Sequence, residues 1–137
     1  MNDGRTGNVE SFVRPSPSID GIRSVTHRDF LKLVLNAQGP VAVEFMTYGC
    51  IHCRMIEPVL QQVAEAIKSK VTIFRVNIAV EHLLAEEYEI QGTPTFIMFR
   101  NAAEIDRVEG PHPTFSSVLR IVTHPFHLDG EVASENA

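Results

Sequence analysis

The sequence predicts an α/β fold in the order βαβαβαββα. Three features carry that reading: short apolar runs alternate with segments of helical periodicity, residues 41–46 form a nearly unbroken apolar strand, and turn residues stand between the segments. Ile22 to Val25 reads as a first strand. Thr26 then caps a helix that presents Phe30, Leu31, Val34 and Leu35 on one face, and Gln38-Gly39-Pro40 ends it. Val41-Ala42-Val43-Glu44-Phe45-Met46 has the β-branched, apolar make-up of a central strand covered on both faces, so its single charge, Glu44, is conspicuous. Ile56, Val59, Leu60, Val63 and Ile67 recur at helical spacing in the next segment, where Pro58 predicts a kink. Val71 to Ile78 is a further buried strand, and Leu84 and Tyr88 mark a short helix. Phe96 to Phe99 is a strand and Ala103 to Glu109 a more polar one. Phe115, Val118, Leu119 and Val122 form a last amphipathic helix.

The 137 residues suit one domain, expected at 21–123 between a disordered leader (1–20) and a flexible C-terminal tail (124–137). The leader carries Gly4, Gly7, Pro15 and Pro17 with little apolar periodicity. An apolar content of 44 % and a charged content of 21 % are those of a water-soluble globule. No run approaches the roughly 18 apolar residues of a membrane span. A net charge of −5 without clustered Lys and Arg argues against nucleic-acid binding. The polar start, Met1-Asn2-Asp3-Gly4, has no apolar segment with a small-residue cleavage site, so a cytoplasmic location is expected.

The chain has two cysteines, Cys50 and Cys53, and the loop between them is too short to staple a fold. In a reducing compartment such a pair does chemistry or binds metal. Zinc normally needs four ligands, and His27, His82, His112, His124 and His127 are scattered rather than paired at finger spacing. Cys50-Ile51-His52-Cys53 stands where the central strand gives way to the long helix. Cys50 is therefore expected at the helix N-terminus, where unpaired amides and the positive dipole end favour thiolate. Cys53 follows one turn on, placed to attack a mixed disulfide at Cys50. His52 is expected to donate a hydrogen bond or positive charge to the Cys50 thiolate.

Several stretches together resemble thioredoxin: Glu44-Phe45, Cys50-Ile51-His52-Cys53 with Arg54-Met55 and Pro58, Arg75-Val76-Asn77-Ile78, Gly92-Thr93-Pro94-Thr95, and Gly110. The likeness covers roughly residues 22–123. It implies a thioredoxin fold, a central mixed sheet flanked by helices, and a thiol–disulfide oxidoreductase acting on protein disulfides without a bound cofactor. It also implies a monomer recharged by a reductase or dithiol electron donor. Pro94 matches the family's cis-proline, and Gly49, Ile51, Thr93 and Pro94 would line the substrate groove. Glu44 matches a buried acid, usually Asp, that relays a proton as Cys53 attacks; burial is expected to raise its pKa.

The chain also departs from the family. Gly49 and Met46 stand where tryptophans are usual, and Ile51-His52 replaces Gly-Pro, which resembles disulfide isomerases and bacterial thiol oxidants and leaves the direction of exchange open. Glu89 and Ala102 replace glycines, so positive φ would be costly there unless the turns are rebuilt. Two other readings remain: a client-binding module on the same scaffold without turnover, and metal carriage through the cysteine pair.

Overall fold

A computed structural model describes residues 22–128. The expected leader at 1–20 and the tail beyond residue 128 lie outside the described residues. Five strands form one mixed sheet in the order β1-β3-β2-β4-β5. They are β1 (Arg23–Ser24), β2 (Val41–Met46), β3 (Thr72–Asn77), β4 (Thr95–Arg100) and β5 (Ala103–Glu109). β1 and β2 both run parallel to β3, whereas β4 runs antiparallel to β2 and to β5. The helices are α1 (His27–Phe30, continued by a wider turn over Leu31–Leu35), α2 (Ile51–Ile67), α3 (His82–Glu87) and α4 (Phe115–Thr123). The predicted order of elements is the observed one, and the mixed sheet flanked by helices is the thioredoxin fold.

Strand alternation divides the core into two layers. Ala42, Ile73, Phe96 and Met98 point to one side, where they meet Ile56, Leu60, Val63 and Ile67 of α2 and Val118 and Val122 of α4. Val41, Val43, Phe45, Phe74, Val76, Ile97 and Phe99 point to the other, against Phe30, Val34 and Leu84. β2 is buried along its whole length, as its composition predicts. Truncating Ile56 or Leu60 to Ala would cost about 2–5 kcal/mol, the usual range for a filled core position. α2 runs unbroken past Pro58.

Two expectations need correction. Leu31, expected on the buried face of the first helix, is 62 % exposed. The turn after Phe30 widens, with the Asn36 N–H reaching the Leu31 carbonyl at 2.9 Å, and this displaces Leu31 from the stripe that Phe30 and Val34 occupy. The domain also does not stop at Thr123. His124–Phe126 adds a 3₁₀ turn that buries Phe126 in the α2–α4 layer, with Leu128 packed beside it. A run of only a few residues carries no readable period, so this last turn is invisible to pattern analysis.

Two turns keep a left-handed backbone without glycine. β4 and β5 are joined by Asn101 and Ala102, with φ of 53° and 70°, in a two-residue hairpin loop that normally takes Asn-Gly. α3 ends with Glu89 at φ 53°, and Ile90 N–H bonds back to the Ala85 carbonyl at 2.9 Å, the closing pattern usually built on glycine. The turns are therefore not rebuilt to suit their side chains; they hold the strained conformation.

Candidate active site

The long helix begins at the cysteine pair because Cys50 leaves strand-like backbone (φ −84°, ψ 121°) and caps it. Its sulfur accepts the Cys53 N–H at 3.1 Å, taking one of the amides that the first helical turn leaves unpaired. In the thiol form its S–H points to the Thr93 carbonyl at 3.4 Å. The Thr93–Pro94 peptide bond is cis, and the Pro94 carbonyl accepts the Gly110 N–H at 2.8 Å. The loop before β4 and the start of α2 thus meet at one sulfur, and the residue that follows β5 bonds to the proline of that loop.

The two cysteines are unequal. Partial burial acts to raise the Cys50 thiol, but hydrogen bonds from the Cys53 side chain, from Thr93 and from the backbone N–H groups of Cys53 and His52 outweigh it and bring the thiol below its ordinary value. Cys53 is buried one turn deeper, and burial together with its hydrogen bond to Cys50 pushes its thiol up to about 12. One sulfur is primed to ionise and its neighbour is held as a thiol.

The structure corrects the reading of His52. Its ring does not face Cys50: Nε2 donates to the Pro111 carbonyl at 2.8 Å, and Cε1 lies near Gly110. The residue bears on the sulfur through its backbone N–H alone. A side chain on the first helical turn can swing either way, and spacing along the chain does not distinguish the two.

Of the residues expected to line a groove, Ile51 is 68 % exposed beside the cysteines, and Gly49 has open space where a Cβ would stand. Thr93 is brought to Cys50 by its carbonyl.

Glu44 shares a strand face with Ala42, so it points toward α2, and it has no exposed surface. Its partner in register on β3 is Arg75, which is also buried. Arg75 Nε lies 3.6 Å from Glu44 Oε1, too long for a hydrogen bond, and among the described residues neither Glu44 oxygen has a hydrogen-bond partner. Arg75 Nη2 instead donates to Glu57 Oε1 on α2 at 2.5 Å. Burial raises the Glu44 carboxyl to about 7; the Arg75 charge pulls against that rise and the Glu57 charge adds to it. Cys53, Arg75, Glu57, Arg54, Tyr48 and Met46 line a cleft of about 150 Å³, so the deeper cysteine opens to the same space as Arg75 and Glu57.

Arg75 and Glu57 were not among the residues expected here. The available signal was that Glu44 and Arg75 are each the only charge in an otherwise uncharged strand. Only the parallel pairing of β2 with β3 makes them neighbours. Among the described residues, no three His, Cys, Asp or Glu side chains cluster as a metal site would require, and no helix is long and apolar enough to cross a membrane.

Comparison with known proteins agrees with this geometry. The thioredoxin family model matches residues 21–120. Thioredoxin from Pyropia yezoensis is 33 % identical over 100 residues, covering 72 % of this chain and 94 % of that protein. Thioredoxin Y1, chloroplastic, from Arabidopsis thaliana is 30 % identical over 122 residues, covering 85 % of this chain and 71 % of that protein. Thioredoxin 1 from Nostoc sp. is 33 % identical over 97 residues, covering 69 % and 91 %. With the cysteine pair capping α2, the cis peptide bond opposite it and a family match spanning most of its length, this chain belongs to the thioredoxin family, whose members are disulfide oxidoreductases.

Proposed function

We propose that this protein reduces disulfide bonds in client proteins, with Cys50 as nucleophile and Cys53 as resolving thiol. The observation that carries this reading is the inequality of the two sulfurs, one lowered and exposed enough to attack, the other buried and protonated. In the first step the Cys50 thiolate attacks a client disulfide, forming a mixed disulfide and releasing one client thiolate. In the second, Cys53 gives up its proton and attacks the Cys50 sulfur, which forms the Cys50–Cys53 disulfide and releases the second client thiolate. Two electrons pass to the client, and a reductase or dithiol donor restores the pair.

Glu44 takes the Cys53 proton in the second step, a role supported by its burial, by a carboxyl raised to about 7 and by the cleft that links Cys53 to Arg75. Gly49, Ile51, Thr93 and Pro94 form the groove, where an extended client segment pairs with the backbone before the proline. The absence of a side chain at Gly49 widens that groove and sets the choice of client. The protein acts as a monomer in the cytoplasm, with both of its cysteines in the active pair. A polar outer strand bearing Glu104, Asp106 and Glu109 discourages pairing along that sheet edge.

Titration against glutathione buffers tests the proposal. The pair is expected to close reversibly with a midpoint near about −270 mV, as for a thioredoxin-type reductant. A midpoint above about −200 mV would make it an isomerase or oxidant. A pair that never closed would leave a scaffold without this reaction.

A further inference from the structure

Arg75 lies between two carboxylates and serves them unequally. Its Nη2 donates to Glu57 Oε1, while its Nε, buried and without a hydrogen-bond partner, stops 3.6 Å from Glu44. Glu57 has a second partner, because Gln61 one turn along α2 donates to its other oxygen, Oε2. The guanidinium is a planar fork able to grip one carboxylate with two parallel bonds, and here its Nε and Nη2 are divided between two acids. Whichever acid holds it more tightly decides how the other behaves.

We infer that Glu57 is a positioning residue for disulfide closure: by holding Arg75 through Nη2 it keeps the guanidinium from hydrogen-bonding Glu44, and so leaves the Glu44 carboxyl free to exchange a proton as Cys53 attacks. The inference rests on the relay role proposed for Glu44. The charged groups that act on this carboxyl are Arg75 from β3 and Glu57 from α2, and these two share a cleft with Cys53, Arg54 and Tyr48. Burial and the Glu57 charge both favour the protonated acid, and Arg75 opposes them. Removing the Glu57 charge takes away a repulsion and frees the guanidinium to turn to Glu44. Both changes lower the pH at which Glu44 ionises.

The test uses the full chain with Glu57→Gln, Glu57→Asp and Glu44→Gln variants. Carbon-13 NMR follows ionisation of the Glu44 carboxyl. An aromatic disulfide that releases a coloured thiolate separates the two chemical steps: the first burst reports attack by Cys50, the second reports closure by Cys53. In Glu57→Gln the Glu44 midpoint is expected to fall by about one pH unit, the lower end of what a well-placed guanidinium does to a carboxyl. The pH profile of the second burst should fall with it, and that of the first should stay in place. Glu57→Asp, which keeps the charge, should recover most of the wild-type midpoint. A Glu44 midpoint unmoved in Glu57→Gln overturns the inference even if Glu44→Gln still alters the second burst, in which case the relay stands alone. A second burst whose profile is the same in Glu44→Gln as in the wild type overturns the relay, and with it any part for Glu57 in closure.

Discussion

Glu44 and Arg75 are register partners on the paired strands β2 and β3, both buried, and they stop 3.6 Å apart without a hydrogen bond. A buried ion pair normally offsets the cost of desolvation by close geometry, and this one does not. The carboxyl is left poised to hold or lose a proton near neutral pH.

That arrangement sets a pH dependence of stability. The Glu44 carboxyl is raised in the folded chain from 4.5 to about 7, so the folded state binds its proton more tightly than the unfolded state does. The contribution is complete below the unfolded value and is lost as pH rises through the folded one. Denaturant titrations of the wild type and Glu44→Gln should therefore diverge as pH rises from about 5 to 8, the wild type losing on the order of 3 kcal/mol relative to the variant. A constant difference across that range would contradict the assignment.

Alkylation should distinguish the cysteines. Cys50 is expected to react with a midpoint below that of an unfolded cysteine, whereas native Cys53, pushed up to about 12, stays unmodified near neutral pH. Cys53→Ala removes a hydrogen bond that lowers the Cys50 thiol, so the Cys50 midpoint should rise. Mass spectrometry of the labelled chain over a pH series checks both.

His52→Ala should leave the Cys50 midpoint within a few tenths of a pH unit, because the ring is bonded to the Pro111 carbonyl and not to the sulfur. Its effect should appear instead as faster amide exchange at Gly110, the neighbour of Pro111 that bonds to the Pro94 carbonyl. A large rise in the Cys50 midpoint would return the ring to the thiolate.

Ala102→Gly should stabilise the protein by about 0.5–1 kcal/mol, since an alanine at φ 70° in a two-residue hairpin loop is relieved of its Cβ conflict. Glu89→Gly at the end of α3 should give a similar gain. Thermal unfolding of each variant measures the effect. Unchanged or lowered midpoints would show that the side chains have compensating contacts.

Much of this site is written in local pattern. The apolar run at 41–46 places a buried strand directly before the cysteines, and the stripe from Ile56 to Ile67 places a long helix after them, so the position of Cys50 at a helix start follows from neighbouring residues. What is illegible is long-range or rotameric. Arg75 reaches Glu44 only through strand pairing, and Glu57 reaches Arg75 only because α2 lies over that face of the sheet. His52 has two directions open to its ring, and the turn at His124–Phe126 is too short to show a period.

Cys50 is proposed to attack and Cys53 to resolve, and covalent trapping separates the two roles. Reduced Cys53→Ser protein mixed with a disulfide-bonded protein substrate should accumulate a covalent adduct through Cys50, seen on a non-reducing gel and located by peptide mass spectrometry, while the wild type turns over without accumulating it. An adduct that formed as readily through Cys53 in Cys50→Ser, or none in Cys53→Ser, would contradict the account.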